Sequence, residues 1–305
     1  MKIWVLVAAM VMCGALPPQL TGDNGITTQW SAQAKSKKKN KKNKKKKKHA
    51  KSVKQSAISP LVSVPTIGKA TNTAVKPQQS TNALLAVNIP KGVSNQVLNY
   101  QTIRVNFNPT LRIPNCVAYE LTATMVDMAD APGHENRKNY NYARDPSVKE
   151  CPENWEYRGS GYSRGHMAPA MDMRWDKTAM AQCFYMTNMC PQDTKLNNDH
   201  WRVLEEKVHR WAKRDKRLIV FTGPIMGQSP KKIGKNKADI AVPDAFFKVV
   251  YAPSQGRAIA FIYPNEPCPG GIGQYAVTVA EVERRTGLTF SSAIPKRQCN
   301  IADWQ

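Results

Sequence analysis

Apolar residues in the second part of the chain, from about residue 94, occur in short blocks separated by turn residues. One block alternates apolar and polar positions, and three others are rich in β-branched and aromatic residues and bounded by Gly or Pro. Both patterns are typical of strands in a sheet. The predicted strands are Val117–Met125, Arg217–Ile225, Ala245–Ala252 and Gly256–Tyr263.

Two further segments have apolar residues at helical spacing. Charged residues separate the apolar members of the first segment, which are Trp201, Leu204, Val208 and Trp211. In the second segment, Thr278 and Glu281 form the pattern of a capping box, and the helix is predicted to end near Gly287. No internal repeat is evident, so residues 94–305 are predicted to form one mixed α/β domain.

Residues 16–93 have a different composition, rich in Lys, Asn, Ser, Thr, Gln and Pro and without sustained apolar periodicity. This composition predicts a disordered leader. Its most basic part, Lys35–Lys51, contains 12 lysines and no acidic residue. Such a run either binds nucleic acid, anionic lipid or surface polysaccharide without sequence preference, or serves as a solubilising tether. The sequence leaves both readings open.

The chain of 305 residues has a formal net charge of +23, which favours a polyanionic partner. Residues 94–305 carry 28 Lys and Arg against 21 Asp and Glu, a net charge of +7. The Lys-rich run therefore carries about half of the total charge and tells us little about the domain. A mean hydropathy of −0.51 with 22% charged residues excludes a polytopic membrane protein.

The first 15 residues are predicted to be a signal peptide. Lys2 precedes an apolar run, Ile3–Leu16, that is too short to span a bilayer comfortably. Small residues at Cys13 and Ala15 allow cleavage after Ala15. The sequence therefore predicts an exported protein, secreted or periplasmic, with no transmembrane segment in the mature chain.

That cleavage would leave six cysteines, and an oxidising compartment would allow up to three disulfides. The pairing stays open, although a Cys116–Cys151 bond would close a loop and a Cys268–Cys299 bond would tie down the C-terminal tail. A zinc site is the rival interpretation of these cysteines. No CxxC pair or Cys/His cluster has the spacing of zinc ligands, which argues against it.

The segment Gly161–Ala170 (GYSRGHMAPA) holds the most informative candidate chemistry. His166 follows a glycine, and Arg164 lies two residues earlier. A lone histidine in a loop is more often structural, but a guanidinium beside an imidazole suits phosphate recognition next to a general base. A second block, Phe184–Glu205, combines asparagines, a Pro-Gln pair, a tryptophan and a glutamate.

Together the two blocks resemble the DNA/RNA non-specific endonuclease family. The family pattern is DRGHxxP, then NMxPQ, then an Asn that opens a helix carrying a Trp and a Glu. Here it stands as SRGHMAP (Ser163–Pro169), NMCPQ (Asn188–Gln192), LNNDHW (Leu196–Trp201) and Glu205. The stretches VFTGPI, VPDAFFKVV, AFIYPN and VAEVERRTGLTF are also similar. The resemblance covers nearly all of residues 94–305 and implies an α+β fold with a central antiparallel sheet and a ββα-metal catalytic unit.

The resemblance also implies roles for five residues. His166 would be the general base that takes a proton from the attacking water, and Arg164 would contact the scissile phosphate. Asn197 would be the one side chain that binds a divalent cation directly, Mg²⁺ or another such as Mn²⁺. Glu205 would hold metal-bound water, and Asn188 would support the site. Because an isolated imidazole titrates near pH 6.5, activity is expected to fall below about pH 6.

One departure from the family pattern is Ser163, where the family usually has Asp. Serine accepts a hydrogen bond but brings no negative charge, which puts the rate in doubt more than the reaction class. A second phosphate-binding arginine could be either Arg137 or Arg144, and the sequence does not choose between them.

The implied function is metal-dependent hydrolysis of phosphodiester bonds in DNA and RNA with little sequence specificity. The alternative hypothesis is a non-catalytic polyanion-binding surface protein on a degenerate nuclease fold. Ser163 and the Lys-rich leader, which would contact nucleic acid or anionic surfaces, are compatible with that alternative.

Overall fold

A computed structural model describes residues 80–234 and 239–305. The predicted signal peptide, the Lys35–Lys51 run and most of the predicted leader lie outside the described residues. The described part begins before residue 94, with a short helix at Thr81–Leu84 and a strand at Val87–Asn88. This strand pairs antiparallel with Thr289–Phe290 near the other end of the chain. The boundaries of the signal peptide, leader and domain stay predictions.

The described residues form thirteen strands and seven α-helices. The strands are β1 (Val87–Asn88), β2 (Gln96–Asn99), β3 (Ile103–Asn108), β4 (Ile113–Thr122), β5 (Tyr162–His166), β6 (Met189–Asp193), β7 (Arg217–Ile225), β8 (Lys232–Ile233), β9 (Ile240–Ala241), β10 (Ala245–Ala252), β11 (Arg257–Pro264), β12 (Ala276–Val277) and β13 (Thr289–Phe290). The helices are α1 (Thr81–Leu84), α2 (Ala123–Asp130), α3 (Ala170–Met173), α4 (Lys177–Cys183), α5 (Thr194–Leu196), α6 (Arg202–Asp215) and α7 (Val279–Thr286). None of these described helices is long and apolar enough to cross a membrane.

Seven strands form a central antiparallel sheet in the order β12-β11-β10-β7-β4-β3-β2. The α+β fold with a central antiparallel sheet is therefore confirmed. Strands β7 and β10 have the predicted bounds, and β11 is shifted by one residue. These three strands are buried along nearly their whole length, which explains why their sequences are continuous apolar runs.

Strand β4 ends earlier than predicted. The Thr122 side chain accepts a hydrogen bond from the Met125 backbone N–H at 3.2 Å and so caps α2. The last three residues of the predicted strand, from Ala123 to Met125, are therefore helical. An N-cap threonine accepts a hydrogen bond from a backbone N–H in the first turn of a helix, and this local bond favours a helix over continuation of the strand.

The two faces of the sheet have separate hydrophobic cores, because consecutive strand residues point to opposite sides. On β4, Val117 and Tyr119 face α2, α6 and the segments between β5 and β6, a side called the α6 face here. Their neighbours Cys116 and Ala118 face α7 and the N-terminal segment, called the α7 face.

Helix α7 forms as predicted. The Thr278 hydroxyl accepts a hydrogen bond from the Glu281 backbone N–H at 3.1 Å. The helix ends at Gly287, whose φ of 72° lies in the left-handed region that glycine adopts without strain.

The prediction of disulfides is wrong for the pairs named, since all six described cysteines are free thiols. Cys116 packs on the α7 face and Cys151 on the α6 face, so the sheet separates them. Cys268 is partly buried, where its Sγ contacts the Glu266 carbonyl at 3.3 Å, while Cys299 is exposed. The spacing of cysteines in the sequence could not reveal on which side of a sheet each one lies.

Candidate active site

Strands β5 and β6 form a separate antiparallel pair that leads through α5 into α6, a ββα unit. Gly165 pairs with Cys190, and His166 pairs with Met189. A side chain at Gly165 could not be accommodated, because its Cβ would lie 2.3 Å from Gln192 Oε1. Glycine is therefore required for the close approach of the two strands, and it fixes the backbone just before His166.

His166 lies at the end of β5 against two aromatic rings. Its imidazole meets Phe184 edge-on with the ring centroids 5.0 Å apart, and Tyr142 lies 5.6 Å away. Its Nε2 is buried and has no hydrogen-bond partner. Burial and the positive charge of Arg137 lower the pKa of His166 to about 3. The imidazole is therefore neutral at physiological pH, as a general base must be.

Asn188 is fully buried and makes three side-chain hydrogen bonds. Its Oδ1 accepts from the Ala168 backbone N–H at 2.9 Å. Its Nδ2 donates to the carbonyls of Ala168 at 3.0 Å and Cys183 at 2.8 Å. Asn188 therefore ties the segment that follows His166 to the end of α4. All of its described contacts are structural, and none is directed at the cavity described below.

Arg164 is engaged by its own surroundings. Its Nη2 donates to the Asn154 carbonyl at 2.7 Å. The guanidinium lies over the rings of Tyr142 and Tyr157, at 5.3 and 5.5 Å from their centroids. Its Nε is buried without a partner, but the side chain does not line the cavity that contains His166.

Arg137 and Arg144, the two arginines upstream of His166, lie in different environments. Arg144 donates from Nη2 to the carbonyls of Val148 at 3.0 Å and Lys149 at 2.8 Å, which holds it within its own loop. Arg137 lines the cavity with His166, and its guanidinium lies 5.3 Å from the Phe184 ring centroid. Of the two arginines that the sequence left open, Arg137 is therefore the candidate for the second phosphate-binding residue.

Asn197 opens a wide, π-helical turn, Asn197–Trp201, that connects α5 to α6. Such turns are rare and occur frequently at functional sites. The Asn197 Nδ2 donates to Asn198 Oδ1 at 3.0 Å, which leaves its carbonyl oxygen for other partners. Asn197 lines the same cavity as His166.

Glu205 projects from the first turn of α6 into this cavity. Its Oε1 is buried without a hydrogen-bond partner. Burial raises the pKa of Glu205, while the charge of Lys248 acts in the opposite direction. Lys248 is fully buried in β10, donates to Thr222 Oγ1 at 2.9 Å, and lies 4.7 Å from the Trp201 ring centroid.

The cavity has a volume of about 430 Å³ and brings together three of the five predicted site residues. Its lining combines these residues, His166, Asn197 and Glu205, with three arginines, Arg137, Arg174 and Arg202. Sequence reasoning missed the contributions of Arg174 and Lys248. The only sequence signal for Lys248 is a charged residue within the apolar run AFFKVVYA.

The donors present suit a hydrated divalent cation. Among the described residues, no group of three or more His, Cys, Asp or Glu side chains could enclose a metal. The cavity instead offers an amide oxygen from Asn197 and a buried, unpartnered carboxylate oxygen from Glu205. Mg²⁺ prefers oxygen ligands and retains several waters, so a site with few protein ligands fits it.

Ser163, which departs from the family pattern, has a local contact of its own. Its Oγ lies 3.0 Å from the Thr194 hydroxyl, at the start of α5. It pairs with Gln192 across the two strands and does not line the cavity. Serine at this position therefore links β5 to the helix that precedes Asn197.

A family model, described as DNA/RNA non-specific endonuclease, matches residues 80–297. The chain belongs to the DNA/RNA non-specific endonuclease family. It is 34% identical over 211 residues to "Nuclease EXOG, mitochondrial" of Danio rerio, covering 64% of this chain and 60% of that protein. It is 31% identical over 228 residues to "Nuclease 1, mitochondrial" of Schizosaccharomyces pombe, covering 68% and 69%.

A solved structure titled "Crystal structure of the EndoG/EndoGI complex: Mechanism of EndoG inhibition" has a similar fold. The TM-score is 0.59 at 28% sequence identity, covering 64% of this chain and 85% of that one. The matched region spans about 60% of the length of the Danio rerio relative.

The predicted secreted or periplasmic location is wrong. The relatives from Danio rerio, Schizosaccharomyces pombe, Bos taurus and Saccharomyces cerevisiae are all named as mitochondrial proteins. These names point to mitochondria rather than to export. The prediction depended on the short apolar run in residues 1–15, which lies outside the described residues. The expectation of an oxidising compartment, on which the disulfides depended, loses its support as well.

Proposed function

We propose that this protein is a metal-dependent nuclease that hydrolyses phosphodiester bonds of DNA and RNA with little sequence specificity. The observation that carries the proposal is that His166, Asn197 and Glu205, which come from β5, the π-helical turn and α6, line one cavity. Membership of the endonuclease family supports the same reaction class.

His166 acts as the general base in this proposal. Its lowered pKa keeps the imidazole neutral, so that it can take a proton from an attacking water throughout the physiological pH range. The aromatic contacts with Phe184 and Tyr142 restrict the orientation of the ring. Asn188 acts indirectly, by holding the backbone at Ala168, two residues after the base.

Asn197 would hold Mg²⁺ or Mn²⁺ through its amide oxygen, and Glu205 would act through water. The cation supplies positive charge beside the phosphate oxygens when it is bound. Burial raises the pKa of Glu205 to about 8, and Lys248 opposes burial by favouring the ionised form, in which both oxygens accept hydrogen bonds from ordered water.

Arg137 is proposed to contact the scissile phosphate, because it lines the cavity and acts on His166. Arg164, which the sequence predicts for this role, instead stabilises the tyrosines around the base. The candidate contacts are thus to backbone phosphate rather than to base edges, which accounts for low sequence specificity.

The test is plasmid cleavage by the wild type and by His166→Ala, in Mg²⁺ and in EDTA. Loss of a general base is expected to slow cleavage about a thousandfold, and EDTA is expected to abolish cleavage until Mg²⁺ is restored. His134→Ala is the matched control, since His134 is exposed and its ring contacts only the Ala131 carbonyl among the described residues.

Equal rates for wild type and His166→Ala would overturn the assignment of the base, and cleavage that persists in EDTA would overturn the metal dependence. DNA retention without any cleavage by the wild type would favour the alternative, a non-catalytic polyanion-binding protein.

A further inference from the structure

Arg174 is a cavity residue to which the mechanism above gives no role. It directly follows α3, the short helix that begins four residues after His166. Its side chain lines the cavity with His166, Asn197 and Glu205. Its Nε is buried and has no hydrogen-bond partner among the described residues. A buried guanidinium N–H without an acceptor is costly, and a bound anion would supply the missing acceptor.

No described carboxylate neutralises Arg174. The three acidic residues nearest to it by sequence or backbone contact have other partners. Asp172 accepts from Tyr119 and His209, Asp176 caps α4, and Glu135 accepts from the Tyr140 hydroxyl at 2.6 Å.

Arg202, which lines the same cavity, differs from Arg174 in this respect. It pairs with Glu206, and its Nε donates to the Asn198 carbonyl at 2.8 Å. Arg202 is therefore already satisfied within the protein, whereas Arg174 retains its capacity to bind an anion.

Arg174 and Arg137 are linked through the backbone. The Glu135 N–H donates to the Arg174 carbonyl at 2.9 Å, so the loop that carries Arg137 is attached to the end of α3. Both guanidiniums line the cavity and neither has a carboxylate partner among the described residues. Arg137 lies over Phe184, the ring that His166 meets edge-on, whereas Arg174 lies at the end of α3 and has no described contact with the aromatic rings around the base.

We propose that Arg174 binds a backbone phosphate next to the scissile phosphate in the same strand. This inference rests on the proposed nuclease function and extends it, since it assigns a second phosphate subsite to the cavity. A guanidinium suits such a site because it binds phosphate through two N–H groups and cannot lose its charge. The subsite reads charge and spacing, so it adds affinity for strands without adding base preference.

The first experiment measures binding of a single-stranded oligodeoxynucleotide to the full chain carrying His166→Ala, which removes cleavage. Adding Arg174→Gln is expected to weaken binding about tenfold at low salt, the loss of one charge-assisted contact. The slope of log affinity against log salt is expected to fall by about 0.7, the value for one phosphate of a single strand. Adding Arg297→Gln instead is the control. Arg297 is exposed, and it follows Ile294, which packs on the α7 face, by three residues in the chain.

The second experiment compares kcat/KM for a dinucleoside monophosphate, which has one phosphodiester and no flanking phosphate, with that for the longer strand. Arg174→Gln is expected to lose about tenfold more kcat/KM on the long strand than on the short substrate. His166→Ala is expected to lose activity on both substrates.

Each outcome bears on a defined claim. Unchanged binding and salt slope in Arg174→Gln would overturn the subsite, whatever the short substrate does. Equal losses on both substrates would also overturn it, because Arg174 would then contact the scissile phosphate itself. Full activity of His166→Ala would instead overturn the assignment of the base, and binding by Arg174→Gln would then be compared with the wild type in EDTA, on strands shown to be intact.

Discussion

The two faces of the central sheet are made by the same strands but differ in chemistry. On β10, Phe247 and Val249 face α7 and pack among apolar side chains. Between them Lys248 points to the other side, where it reaches Thr222 on β7. Around β10 the α7 face is packed with apolar side chains, whereas the α6 face contains buried hydroxyl, carboxylate, imidazole and ammonium groups.

These polar groups form a connected set beneath the candidate site. Asp172 accepts hydrogen bonds from the Tyr119 hydroxyl at 2.9 Å and from His209 Nδ1 at 2.8 Å. Lys248 lies against Trp201 and acts electrostatically on Glu205 and Asp172. Burying such groups costs stability unless each finds a partner. Because this connected set lies on the α6 face together with the site residues, we expect the α6 face to hold the site in position and the α7 face to act mainly on stability.

The largest expected effect comes from exchanging one phenylalanine on each face. Phe221→Ala removes a fully buried ring whose centroid lies 4.7 Å from that of Phe290 on the α7 face. The free energy of unfolding is expected to fall by about 4 kcal/mol, from lost burial and the cavity that remains. Denaturant unfolding measures this change, and kcat/KM per folded molecule is expected to be unchanged.

Phe246→Ala is the matched variant on the α6 face, where the ring lies 5.7 Å from that of Trp201. It is expected to lose similar stability and also to lower kcat/KM, because Trp201 belongs to the π-helical turn that carries Asn197. If Phe221→Ala lowered kcat/KM more than Phe246→Ala, the proposed division between the faces would be wrong.

A smaller effect is expected when the α6 face is made more like the α7 face. Lys248→Met removes the buried ammonium, and the free energy of unfolding is expected to fall by about 3 kcal/mol, because the buried groups that Lys248 contacts lose their partner. The positive charge favours ionised Glu205, so its removal raises the pKa of Glu205 further. At pH 7 kcat/KM is expected to fall about tenfold and to recover as the pH rises.

Thr222→Val is the control for this effect, since it removes the hydroxyl that accepts from Lys248 but retains the charge. It is expected to lose about 1 to 2 kcal/mol of stability, with no shift of the pH profile. An identical pH profile for wild type and Lys248→Met would show that the ammonium does not act on Glu205.

A further effect on stability is expected only at acid pH. Burial and Arg137 place the pKa of folded His166 at about 3, below the value near 6.5 of an unfolded chain. The unfolded state therefore binds the proton first, and this histidine reduces stability as the pH falls from about 6.5 towards 3. As the pH falls across this interval, the free energy of unfolding is expected to decrease less for His166→Gln than for the wild type. Because the pKa of His166 is about 3, activity is expected to fall only at a pH well under 6, the value expected from the sequence.

The pKa of His209 is shifted in the opposite direction, and its contribution to stability changes with pH in the opposite direction too. Burial lowers its pKa, but the hydrogen bonds and charges of Asp172 and Asp130 outweigh burial and raise it. Its contribution to stability is present at acid pH and is lost as the pH rises through the raised pKa. His209→Gln is therefore expected to lose most relative to the wild type at acid pH. Parallel curves for the two variants would contradict both assignments.

The sequence predicted the sheet and three of the cavity residues because these depend on local patterns. Strands β7 and β10 are apolar runs between breakers, and their bounds agreed with the prediction. His166, Asn197 and Glu205 were found from ordered motifs whose spacing reflects the ββα unit. Whether these residues carry the catalytic roles stays a prediction.

The remaining features depend on contacts between distant segments. Arg137 and Arg144 could not be separated by spacing, since what distinguishes them is the set of acceptors around Arg144. Arg174 carries no motif, and its importance lies in what surrounds it. Asn188 was expected near the chemistry, but its hydrogen bonds run to Ala168 and to the end of α4.

The π-helical turn Asn197–Trp201 allows the side chains before and after it to point in directions that one continuous α-helix would not combine. Each residue of an α-helix advances the direction of a side chain by about 100°. Leu204 and Val208 need one rotational phase to face the sheet, and Asn197 needs another to face the cavity. The wide turn changes the rotational angle of the helix between Asn197 and Leu204, so that both directions are possible. Insertion or deletion of one residue in this turn would therefore change the direction of the Asn197 amide, while Leu204 and Val208 could keep their contacts with the sheet.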